Sequence, residues 1–70
     1  MDKPALDAAL LASHAAGDRA ALITLYAQAA DMAEPGAAFY LTHAYVFALE
    51  AGDARAPELR AQLVALGAEL

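Results

Sequence analysis

The chain has no cysteine, which excludes disulfides and thiolate metal centres together. At 70 residues it is one domain at most, and a domain this small buries only about 60% of its unfolded surface. Stability must therefore come from closely packed helices or from self-association. Basic residues are nearly as scarce. Lys3, Arg19, Arg55 and Arg60 are scattered along a chain of net charge −5. Phosphate backbones and anionic membranes both select clustered Lys and Arg, so no nucleic-acid partner and no membrane surface is expected. No stretch alternates Val, Ile and Thr at period two as a strand would. The longest uncharged run, Pro35 to Leu49, is shorter than the roughly 20 residues of a membrane span. Asp2, Lys3 and Asp7 interrupt the N-terminus, and no apolar run of about 7–15 residues follows a basic one as in a signal peptide. A cytoplasmic, bacterial-type setting is the expectation.

What is abundant is alanine, with 22 of 70 residues. Alanine is the best helix former and buries little area, so the composition predicts an all-α chain with thin interfaces. The organising feature is a phrase that occurs twice, Ala16-Gly17-Asp18 and Ala51-Gly52-Asp53, 35 residues apart. In each copy Gly ends one helix in the left-handed conformation and Asp caps the next. The repeat predicts four antiparallel helices arranged as two tandem helix-turn-helix hairpins in one domain, residues 1–70, with units 1–35 and 36–70.

The first helix is expected to begin near Pro4, with Asp2 or Lys3 at its cap. Leu6 and Leu10 lie on its apolar side. In the second helix Leu22, Leu25, Tyr26, Ala29 and Met32 share one face, and Glu34-Pro35-Gly36 ends it. Asp31 and Glu34 make an acidic end to that helix, read as a solvated loop or a contact for a basic partner. The third helix, Ala37 to Ala51, is apolar all round. Phe39, Val46 and Leu49 mark one face; Tyr40, Phe47 and Ala51 a second; Leu41, Ala44, Tyr45 and Ala48 a third. Such a helix lies between neighbours, or turns part of its surface to another chain. The fourth helix carries Pro57 early and a stripe of Leu59, Leu63, Leu66 and Leu70.

This pattern resembles the tetratricopeptide-repeat family in a degenerate, two-unit form. The resemblance spans nearly the whole chain. It rests on Gly17-Asp18 and Gly52-Asp53 at the turns, Tyr26 and Ala29 in the second helix, Pro35 closing the first unit, and Phe39, Leu41, Ala44 and Tyr45 in the third helix. No Trp opens either unit, and Leu22 stands where the family carries a small Ala. The resemblance implies a right-handed stack of hairpins and a protein-binding role. It implies a groove lined by the first and third helices, with Asp7, Leu11 and His14 from one and Thr42, Val46 and Glu50 from the other. Helical repeats need about three or more units for independent stability, which points to a protein partner or a second copy completing the stack.

His14 and His43 are the only side chains that titrate near neutrality without perturbation. His14 stands four residues from Asp18 at a helix end, where an imidazolium favours the C-terminal dipole. His43 in its apolar setting reads as a hydrogen-bonded core or interface histidine. The alternative function is a helical protein binding a metal or small ligand through His14 and His43. No cofactor motif is present. No nucleophile–base pair or Gly-rich phosphate loop suggests an enzyme, since Ser13 and His14 are adjacent and diverge on a helix.

Overall fold

In the computed structural model, which describes residues 2–33 and 36–68, the chain forms α1 (Lys3–Ala16), α2 (Arg19–Met32), α3 (Ala37–Ala51) and α4 (Ala56–Ala65). No strand occurs among the described residues, and the fold is all-α. Asp2 caps α1, its carboxylate accepting from the Ala5 N–H at 3.0 Å, with Pro4 in the first turn. Gly17 has φ 67°, and the Asp18 N–H reaches back to the Ser13 carbonyl at 3.0 Å, closing the helix end. Gly52 repeats this stop at φ 64°, with the Asp53 N–H on the Ala48 carbonyl at 2.8 Å.

The two aspartates then part company. Asp18 caps α2 through the Ala21 N–H at 3.1 Å. Asp53 caps nothing. Its Oδ1 accepts from the Arg55 backbone N–H at 2.8 Å, and its two oxygens take Nε and Nη2 of the same residue at 2.9 and 3.1 Å. A further turn of chain separates Asp53 from α4, whose N-terminal flank is Arg55 without a side-chain cap. The late start suits Pro57, which lacks an N–H and is tolerated in the first turn of a helix, where it stands directly after Ala56.

Backbones approach closely only between helices successive in sequence, α1 with α2, α2 with α3 and α3 with α4. Side chains carry the wider arrangement. Leu6 of α1 packs in one cluster with Leu25 and Ala29 of α2, covered by Tyr40 of α3. A larger core joins Ile23 and Ala30 of α2 to Leu41, Ala44 and Ala48 of α3 and Leu59 and Leu63 of α4. Leu6 meets Tyr40 near the starts of their helices, and His14 meets Phe47 near the ends. Hence α1 and α3 run in the same direction, as two hairpins in tandem require. Arg55 fastens the second hairpin to the first, donating to Thr24 Oγ1 at 2.7 Å and to the Ala20 carbonyl at 3.4 Å.

Two expectations need correction, and the apolar surplus of α3, which lies between α2 and α4, is only partly buried. Met32 is half exposed and does not extend the buried face of α2, whereas Ile23, outside the expected stripe, is wholly buried. Thus α2 is buried on two sides, toward α1 through Leu25 and Ala29 and toward α3 and α4 through Ile23 and Ala30. The leucine stripe of α4 stops at Leu63, because the helix ends at Ala65 and Gly67 turns the chain at φ 81°; Leu66 is exposed. Of the three apolar faces of α3, only Leu41, Ala44 and Ala48 are fully buried, and Phe39, Val46 and Leu49 stay in solvent. The expected stop at Glu34-Pro35 and the position of Leu70 lie outside the described residues.

Candidate interaction face between the first and third helices

The side chains of α1 and α3 that flank α2 enclose a face floored by Tyr26. Tyr26 sits at the middle of α2, one turn after Ile23 and packed against the edge of the core that Ile23 belongs to. Its ring lies nearly parallel to three rings of α3: Phe47 at 5.8 Å and 16°, His43 at 5.1 Å and 26°, and Tyr40 at 6.3 Å and 29°. Tyr40, His43 and Phe47 follow at helical spacing, so one flank of α3 presents a continuous aromatic row. On the other wall His14 Nε2 and Tyr26 Oη are hydrogen-bonded at 2.8 Å, and the His14 ring meets Phe47 edge-on at 5.9 Å. Offset and edge-to-face rings at these distances contribute about 0.5–1.5 kcal/mol per pair beyond area burial.

The site residues expected from the sequence fall into three groups. Thr42, Val46 and Glu50 line one shallow recess on α3 with His43 and Phe47. His14 stands beside that recess through its contact with Phe47. Asp7 belongs to a second recess further along α1, walled by Leu6, Leu10 and Tyr40, where its carboxylate holds the Lys3 ammonium at 3.1 Å. That bond raises the Lys3 pKa above its ordinary value. Leu11 is 72% exposed on α1 and enters neither recess.

The charges at the rim are few. Glu50 approaches Arg19 Nε at 3.8 Å, a loose pair between half-exposed groups. The remaining strong ion pair, Asp53 with Arg55, lies away from this face; its hydrogen bonds hold the Asp53 carboxyl below the usual carboxylate range. His43 donates its Nδ1–H to the Phe39 carbonyl at 2.9 Å, one turn back, which fixes its tautomer. His14 and His43 therefore both engage Tyr26, one by hydrogen bond and one by stacking, and His14 makes no bond to Asp18, whose carboxylate is turned to its own helix. No group of three His, Asp or Glu side chains lies together as a metal site among the described residues.

Sequence reasoning missed the floor of this face. The sequence offers Tyr26, Tyr40 and Tyr45 as core or interface aromatics or as the lining of a pocket; all three are half-buried, and Phe47, not among them, completes the stacked row with Tyr26 and Tyr40. Spacing along one helix cannot reveal that rings from α2 and α3 lie parallel. No family model, no curated protein and no solved structure matches this chain. No helix among the described residues is long and apolar enough to cross a membrane.

Proposed function

We propose that this chain is a small protein–protein interaction module that docks another polypeptide on the face formed by α1 and α3. The observation that carries the reading is the apolar surface left uncovered there. Phe39 and Val46, beside the half-buried aromatic row of α3, are 62% and 44% exposed, and Leu11 on α1 is 72% exposed. A folded domain this small leaves large apolar side chains in solvent where a partner removes them from water. Aromatic rings on a rigid helix add contact area at low entropic cost, as binding hot spots do. The parallel course of α1 and α3 and the two hairpins in tandem support a tetratricopeptide-repeat-like use of the inner helices. Recognition is by shape and apolar burial, with Asp7 and Glu50 at the rim steering orientation.

The test uses the purified chain as bait in an extract of its own cells. L11D/V46D carries two charges on the face, and V64D carries one charge on α4. The expected result is retention of the same protein by wild type and V64D and its loss with L11D/V46D, all three having the same helical circular dichroism. Equal retention by all three would contradict the proposal.

A further inference from the structure

The outer side of α3 carries Phe39, Thr42, Val46 and Leu49, all exposed, at intervals of three, four and three residues. That is the spacing of the seam positions in a coiled coil, the pattern by which one helix packs on another. The intervals read the same in both directions and are centred on Ala44. An antiparallel copy of α3 therefore sets Phe39 against Leu49 and Thr42 against Val46, twice, in a single register. Self-complementarity of this kind is what a two-fold interface demands.

Charge selects the same occupant. A chain of net charge −5 repels its own copies, yet α3 holds one ionised residue, Glu50, and no Lys or Arg. The N-terminus of α3 is flanked by Gly36 and has no side-chain cap. In the antiparallel register Glu50 of one copy lies level with Ala38 in the first turn of the other. There a carboxylate meets the free N–H groups and the positive end of the helix dipole.

We infer that the chain forms a two-fold symmetric dimer in which α3 pairs antiparallel with α3 of a second copy. The inference rests on the α3 side of the docking reading above, through the exposed Phe39 and Val46 that the two share, and names the partner there. The seam is one helix of 15 residues, about 22 Å long, so the dimer is reversible and dissociates on dilution.

The test is sedimentation equilibrium of the chain alone over a concentration series, together with cysteine pairing in the otherwise cysteine-free sequence. Wild type shifts from monomer to dimer mass. L49D weakens the dimer by about 100-fold or more, since the lost side chain occurs twice. E50A weakens it about 3- to 10-fold, and R19A leaves it unchanged, which separates the helix-end contact from the Arg19 pair. A mixture of F39C and L49C forms the mixed disulfide in preference to either symmetric one. Two copies of residue 39 stand about 15 Å apart in this register, beyond disulfide reach. Monomer mass at every concentration, or symmetric disulfides forming as readily as the mixed one, would overturn the dimer. Loss of bait retention with L11D/V46D in a chain that stays monomeric would leave the docking face standing with a foreign protein on it.

Discussion

Tyr26 Oη lies 2.8 Å from His14 Nε2, while the ring of Tyr26 stacks on Phe47 at 5.8 Å. One residue of α2 thereby joins the helices on either side of it, whose backbones do not approach each other. Together with the direct His14–Phe47 and Leu6–Tyr40 contacts, this side chain closes the face between α1 and α3.

Substitution at Tyr26 should separate these two roles. Y26F keeps the stacked ring and loses a partly exposed hydrogen bond, and should cost about 0.5–1 kcal/mol. Y26A removes the ring as well and should cost about 3 kcal/mol, a large share of the stability of a domain this small. Urea unfolding of the three proteins reads both values. Equal losses for Y26F and Y26A would mean that the ring contributes nothing.

Arg55 bonds to Asp53, Thr24 and the Ala20 carbonyl, and is the polar clasp between the hairpins. R55A should lower stability by about 1–2 kcal/mol, given its partial exposure, and lower Tm by roughly 4–15 °C. T24A should produce a smaller drop, and the double variant should fall short of the sum because the two share one bond. Differential scanning calorimetry measures all three.

The same clasp sets a pH dependence. The Asp53 carboxyl is held below its ordinary pKa by the Arg55 hydrogen bonds. A depressed folded-state pKa stabilises the fold above the unfolded-state value of about 3.9, and the gain is lost as pH falls through the folded value. Wild type should therefore melt above D53N at neutral pH, and the two curves should converge in acid. A difference that persists well below pH 3 would refute the ionic origin.

The twin Ala-Gly-Asp phrases should respond alike at glycine and differently at aspartate. Gly17 and Gly52 both have positive φ with open space around the missing Cβ, so G17A and G52A should each cost about 1 kcal/mol from backbone strain alone. D18A removes a helix cap and should cost about 1 kcal/mol. D53A should cost no more than R55A and should add little to it, because Asp53 acts through Arg55. Thermal melts of the single and paired variants check this.

How far the fold was legible follows from the same residues. Gly17, Asp18 and Gly52 marked helix ends because positive φ and N-cap chemistry are local, and the end of α3 follows from Gly52. Asp53 was misread because its partner, Arg55, competes with the cap and the next helix starts late, with Pro57 in its first turn, a conflict that repeat symmetry conceals. Ile23 was missed because alanine marks buried and exposed faces alike. With Ala27 and Ala30 as its companions, its stripe carries no contrast, while the Leu22–Met32 stripe does. The exposed apolar face of α3 was visible as an excess of apolar residues. Which side stayed in solvent depended on the placement of α2 and α4, and so did the stacking of Tyr26 on α3.

The most direct measurement is residue-resolved NMR of the labelled chain, recorded dilute and alone, then saturated with the protein retained by the bait. Perturbation is expected to concentrate on Leu11 and His14 of α1 and on Phe39, His43, Val46 and Phe47 of α3, with Val64 and Leu66 unchanged. Perturbation centred on α4, with the α1–α3 face unmoved, would contradict it.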